Sequence, residues 1–217
     1  MSELKLETIV LGSVETNTYI ISNPQLREAL VVDPADDANR ILGYLKANDL
    51  VCKGILLTHG HFDHILAAED IKKSTAAPIY AHEAESRLLG DAKLNASDYI
   101  RKECSLKPDV LLKDGEVLSL AGFTIQVIHT PGHTAGGVCY YFSDHEVLIS
   151  GDTLFYEDIG RTDLPTGSYK QLVEGIRSKL MSLKDSVKVY PGHGWPTTIG
   201  HEREHNSYIT NSSDMFD

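Results

Sequence analysis

Thr58-His59-Gly60-His61-Phe62-Asp63-His64 is the stretch whose reading decides the fold. It follows Gly54-Ile55-Leu56-Leu57, a short apolar run that predicts a buried strand. In an extended segment alternate side chains point the same way, so His59, His61 and Asp63 can face one cavity. His64 adjoins Asp63 and points elsewhere, toward a second ion. Gly60 permits a tight backbone where the chain leaves the strand. Imidazole and carboxylate together suit zinc and other first-row divalent metals. Taken singly, each residue has a plainer use: an aspartate caps a helix or makes a turn, and a histidine packs.

Working outward, three further candidates stand at predicted strand ends, each beside a glycine: Gly132-His133, Gly151-Asp152 and Gly192-His193. Loops held by a rigid sheet are where site residues are expected. Pro131-Gly132-His133 and Pro191-Gly192-His193 echo one another. With the first four, these make five histidines and two aspartates. A carboxylate has two oxygens and can join two ions, so Asp152 is the natural bridge.

The pattern around these residues is that of an α/β chain. Strands are expected over 6–11, 18–21, 30–32, 54–57, 78–81, 117–120, 124–128, 137–142, 147–149 and 187–190. Helices are expected over 37–48, 64–74, 83–89, 169–180 and 198–205. In the 169–180 helix Leu172, Ile176 and Leu180 recur at four-residue steps. Residues 90–114 carry a weak, mixed pattern and read as a partly helical excursion that shapes a substrate cleft. Two strand-rich halves with helices outside suggest a four-layer α/β/β/α sandwich.

The run His59-x-His61-x-Asp63-His64, followed in order by His133, Asp152 and His193, resembles the metallo-β-lactamase superfamily. Gly151-Asp152-Thr153-Leu154-Phe155, then Gly160-Arg161-Thr162-Asp163, looks like its glyoxalase II-type branch, as do Thr197-Thr198-Ile199-Gly200, Glu202 and Asn206. The resemblance covers nearly the whole chain. It implies the αββα fold, with His59, His61 and His133 holding one ion, Asp63, His64 and His193 the other, and Asp152 bridging them. It implies a metal-bound hydroxide held at Asp152, with Asp63 accepting or orienting its proton. Two divalent ions are implied, zinc first, with iron or manganese also suited to the donors. Arg161 stands where that branch carries a basic residue near the substrate, and a guanidinium grips carboxylates; a structural salt bridge is its plainer role. Tyr156 and Trp195 are weaker cleft candidates.

The implied reaction is hydrolysis of a thioester such as an S-hydroxyacyl-glutathione to a hydroxy acid and a free thiol. The chain departs from the fuller glyoxalase II pattern at the C-terminus, where those enzymes add a helical extension that helps bind glutathione. Here only residues 207–217 follow Asn206, so a different thiol or an ester stays open. Persulfide dioxygenases share Gly160-Arg161-Thr162-Asp163 and hold one iron through two histidines and an aspartate. A lactonase or β-lactamase is a further alternative.

Composition narrows the field. The length, 217 residues with 41% hydrophobic, suits a single domain over 1–217. The net charge is −11 and no Lys/Arg run stands out, which disfavours nucleic acid as a partner. Two divalent ions would offset about four of those charges. No apolar stretch is long enough to cross a bilayer, and no secretory pattern opens the chain. Cys52, Cys104 and Cys139 are odd in number and form no Cys-x-x-Cys pair, which fits a reducing cytoplasm. His201-Glu202-Arg203-Glu204-His205 matches the zincin pattern His-Glu-x-x-His, but its polar flanks read as a solvated helix.

Overall fold

Along the strands, side chains alternate between two faces, and in the inner strands of this chain both faces are buried. In β3 (Glu28–Val32), Ala29 and Val31 face one cluster of buried side chains, while Leu30 and Val32 face another. In β9 (Val138–Phe142), Val138, Tyr140 and Phe142 join that second cluster, and Cys139 and Tyr141 enter a third. Strands of this kind must be covered on both sides. The computed structural model describes residues 3–210, so most of the stretch after Asn206 lies outside the described residues.

The first sheet runs in the order β1 (Lys5–Leu11), β2 (Thr16–Asn23), β3, β4 (Val51–Leu56), β5 (Ile79–His82) and β6 (Val110–Leu112). It is antiparallel from β1 to β3 and parallel from β3 to β6. The parallel steps need crossovers, supplied by α1 (Ala38–Ala47) and by α2 (Phe62–Ile65) with α3 (Ala68–Thr75). Between β5 and β6 come a 3₁₀ turn over Glu83–Glu85 and α4 (Ser86–Leu89).

In the second sheet β7 (Val117–Leu120), β8 (Phe123–His129), β9 and β10 (Val147–Gly151) form an antiparallel meander. A small ribbon, β11 (Leu154–Phe155) and β12 (Asp158–Ile159), leads to α5 (Tyr169–Gly175). The chain then returns as β13 (Lys188–Pro191), parallel to β10, and pairs with β14 (Thr197–Thr198) before α6 (Ile199–His205) and α7 (Ser207–Thr210).

The three clusters are the three interfaces of an αββα sandwich. Ile41, Leu45 and Ile71 pack on the outer face of the first sheet. Leu30, Leu56, Phe123, Tyr140 and Ile149 fill the space between the sheets. Leu172, Ile176, Leu180 and Ile199 cover the second sheet. Among the described residues no helix is long and apolar enough to cross a membrane.

Three elements depart from the sequence expectation. The helix expected over 64–74 is broken, because the Ala67 N–H bonds Pro34 O (3.0 Å) outside its own helix. The excursion after Gly90 contains turns and no helix before β6. Its side chains compete for backbone donors: Asp91 accepts from Lys93 N–H and Asn95 from Ser97 N–H. The last part of the expected 169–180 helix winds as a π-helical turn over Ile176–Leu180.

Candidate metal centre

Five strand ends deliver the site. Asp33 follows β3, His59 to His64 follow β4, His133 lies in the β8–β9 connection, Asp152 follows β10 and His193 follows β13. All seven residues expected from the sequence converge. His59, His61 and His133 offer ring nitrogens within 4.8 Å of one another, and Asp63, His64 and His193 form a second such trio. Asp152 stands between them. Its Oδ2 is 3.6 Å from Nε2 of both His133 and His193, and its Oδ1 is 3.5 Å from His64 Nε2.

Hydrogen bonding at the far ring atoms fixes the tautomers. His133 donates Nδ1–H to Arg161 O (2.7 Å), leaving a lone pair on Nε2. Thr58 Oγ1 donates to Asp33 (2.5 Å), so the His59 Nδ1–H donates to Thr58 Oγ1 (3.1 Å) and Nε2 is again bare. These two lone pairs face each other at 3.2 Å. His64 donates Nδ1–H to Asp33 (2.9 Å), and its Nε2, buried without a hydrogen-bond partner, faces Asp63 and Asp152 at 3.5 Å. Asp152 Oδ1 is likewise buried without a hydrogen-bond partner. His61 Nε2 is also buried without a partner; opposed ring lone pairs, two unpaired ring nitrogens and an unpaired carboxylate oxygen call for cations between them. Among the described residues, Asp33, Asp63 and Asp152 have only histidines as ion-pair partners. The histidine and aspartate clusters are thus compatible with a binuclear metal site.

The electrostatics separate the two trios. Burial, reinforced by the neighbouring histidines, drives the His59 pKa well below 6.5, and burial with His133 lowers that of His61. Burial works the same way on His64, but the Asp63, Asp152 and Asp33 carboxylates overcome it and raise its pKa to about 10. His193 is raised, against burial, by its bond to Asp63 and the charge of Asp152. Asp63 is held low, against burial, by His64, His193 and Thr16. A proton shared among His64, His193 and the carboxylates is the charge a metal ion would replace.

Several residues that sequence reading left unassigned hold this arrangement. Asp33 is buried with a left-handed backbone (φ 47°) and accepts from Thr58 N–H, Thr58 Oγ1–H and His64 Nδ1–H. One of its oxygens lies within 4.8 Å of a ring nitrogen of both His59 and His64. Its oxygens are already committed, so it orients ligands. The signal was present as a lone aspartate closing an apolar strand, before Pro34. Thr16 donates to Asp63 Oδ2 (3.0 Å). Asn17 and Tyr19 bind Pro191 O, and Asn17 also binds Gly194 O, pinning the loop that carries His193. A Cβ on Gly192 would lie 2.1 Å from Asp152 Oδ1 and 2.7 Å from His64 Cε1.

A cleft of about 470 Å³ opens on the centre, walled by Val14, Phe62, Ala96, Phe155, Ile159 and Leu164, with Asp158 and Arg161 also lining it. Ala96 belongs to the excursion after Gly90, which the sequence reading expected to shape the cleft. Arg161 bonds Asp163 through Nε (2.7 Å) and Nη2 (2.8 Å), and Asp163 is lowered to about 2 by that bond. Tyr156 is not in the cleft wall; it stacks on His201 (4.9 Å between ring centroids) in a neighbouring hollow. Trp195 is 81% exposed. His129 stacks on His82 at 3.9 Å and donates Nε2–H to Ala135 O.

The zincin-like run does not form a donor trio among the described residues. His201 pairs with Glu157 (2.9 Å). Glu202 is fully buried, accepting from Thr197 Oγ1–H, Glu157 N–H and Asn206 Nδ2–H. The helix is therefore anchored by its glutamate and is not solvated on every side.

The family model for the metallo-beta-lactamase superfamily matches residues 11–193. The chain belongs to the metallo-β-lactamase superfamily. Within that superfamily it is 32% identical over 213 residues to the hydroxyacylglutathione hydrolase GloC of Haemophilus influenzae, covering 97% of this chain and 100% of the relative. That relative supports the glyoxalase II-like branch. A crystal structure of the BLEG-1 B3 metallo-beta-lactamase is 41% identical and superposes with a TM-score of 0.90, over 95% of this chain and 100% of that one. The di-iron-bound form of TTHA1623 is 31% identical, with a TM-score of 0.83 over 93% and 99%.

Proposed function

We propose that this chain is a binuclear metal-dependent hydrolase that cleaves a thioester, with S-hydroxyacyl-glutathione as the first substrate to test. The observation that carries the metal reading is the convergence of imidazole nitrogens from three strand ends, two of them buried without a hydrogen-bond partner, around the unpaired Oδ1 of Asp152. His59, His61 and His133 would hold one ion, Asp63, His64 and His193 the other, and Asp152 would touch both. Such ions polarise an acyl carbonyl and activate water near neutral pH. Zinc is the first choice, and iron is equally suited to the donors, as the di-iron form of TTHA1623 illustrates.

The protein's own groups do the rest. Asp63 is ionised, held by Thr16 and aimed at the centre, so it accepts or orients a proton. The apolar side chains of the cleft wall can pack the carbon skeleton of an acyl group beside the centre. Arg161 uses two of its five N–H donors on Asp163, and the others are available to a substrate carboxylate at the cleft. A thiolate leaves without a strong general acid. Three free thiols suit a cytoplasmic setting.

The test is turnover of a panel of thioesters, followed by free-thiol release. Glutathione thioesters should be cleaved, and no turnover of any thioester would end this reading. The 41% identity to a B3 metallo-β-lactamase favours a second reading, β-lactam hydrolysis. A chromogenic cephalosporin in the same assay decides it.

A further inference from the structure

Glu85 is a glutamate 1% exposed, at the end of the Glu83–Glu85 turn. A buried carboxylate is costly unless its oxygens are satisfied. Among the described residues no lysine, arginine or histidine pairs with it. Two backbone amides do. Oε1 accepts Gly60 N–H (2.9 Å) and Oε2 accepts Gly136 N–H (2.7 Å).

Those amides belong to the two loops that carry the three-histidine trio. Gly60 lies between His59 and His61, at the end of a strand of the first sheet. Gly136 is in the β8–β9 connection of the second sheet, with His133. The ring nitrogens of the trio meet across this junction at 2.9 and 3.2 Å, so their spacing depends on how the two loops are held together. Another direct tie is Val138 N–H to Thr58 O (2.8 Å).

Space at both amides is closed to a side chain. A Cβ on Gly60 would lie 2.7 to 2.9 Å from Leu88 and Leu89, and one on Gly136 would lie 2.5 Å from Glu85 N and Oε2. The other trio has supports of its own, namely Thr16, Asn17 and Tyr19, while Asp33 reaches both trios, directly at His64 and through Thr58 at His59.

We propose that Glu85 is a positioning residue that clamps the His59/His61 loop to the His133 loop and so sets the affinity of the three-histidine ion alone. The proposal rests on reading His59, His61 and His133 as ligands of one ion. Glutamine cannot replace it, because its amide presents one acceptor and opposes the second N–H with a donor.

The experiment measures stepwise zinc affinity of the full-length protein by competition with a chromophoric chelator. It compares wild type, Glu85→Gln and Leu180→Ala, the last destabilising the outer layer far from the centre. Wild type should hold about two ions, and Glu85→Gln should weaken one of them by about 10- to 100-fold, the range for lost ligand support, while keeping the other. Leu180→Ala should lower the Tm with both affinities intact. Two ions at wild-type affinity in folded Glu85→Gln overturn the clamp alone, as does equal weakening of both. Fewer than two ions in wild type overturns the binuclear reading and the clamp with it. Should Glu85→Gln not fold, amide exchange of Gly60 and Gly136 in the wild-type protein decides. Slow exchange of both supports the clamp, and fast exchange of either overturns it.

Discussion

Replacing Asp33 by asparagine removes one charge and rearranges three hydrogen bonds without changing the shape of the side chain. The carboxylate accepts Thr58 N–H at 2.7 Å, Thr58 Oγ1–H at 2.5 Å and His64 Nδ1–H at 2.9 Å. An amide keeps one acceptor, which Thr58 N–H takes, and turns its NH₂ toward His64. The imidazole then has to accept on Nδ1 and carry its proton on Nε2, the atom that faces Asp63 and Asp152. A hydrogen bond to a buried charged group contributes about 1.5–3 kcal/mol. Losses of about 10- to 100-fold in metal affinity, or about 1.4–2.7 kcal/mol, follow from such changes. Chelator competition should show the ion of the Asp63/His64/His193 trio weakened by that factor, and excess metal should restore turnover. Wild-type affinity for both ions in a folded Asp33→Asn protein would refute the orienting role.

Other outcomes follow from the same geometry. With chelator present, thermal stability should peak near pH 6.5. His64 and His193 have raised pKa values, so their contribution is complete below 6.5 and is lost as pH rises toward about 10. His59 and His61 are lowered, so theirs is complete above 6.5 and is lost as pH falls. Scanning Tm from pH 5 to 9 checks this, and a monotonic trend contradicts it. Gly192→Ala places a methyl 2.1 Å from Asp152 Oδ1; it should cost about 1–3 kcal/mol by denaturant titration and lower metal content. Replacing His201 and His205 together by alanine should leave metal content and turnover unchanged, since both lie outside the donor trios; a lost ion on elemental analysis would contradict that.

Much of the fold was legible because inner strands such as β3, β9 and β10 are apolar runs buried on both faces, and because the converging histidines and aspartates sit where strands end. Three features were hidden for physical reasons. The short strand β6 offers only three residues, with Leu111 half exposed on the sheet edge, too few to show a period. The break between α2 and α3 is made by Pro34 O, a partner distant in sequence. The seven residues that converge were readable as a set, while their supports were not. Asp33, Thr16 and Glu85 act through partners 25 to 51 positions away, which local spacing does not encode. Tyr156 illustrates the reverse: closeness in sequence to Asp152 did not bring it into the cleft, because the β11–β12 ribbon turns it onto His201.

The most direct test of the account is the metal content of untagged protein purified without added metal, measured by elemental analysis. The opposed lone pairs and the intervening Asp152 predict about two ions per chain, zinc or a mixture. A single iron per chain, or none retained or taken up at micromolar metal, would contradict the binuclear centre.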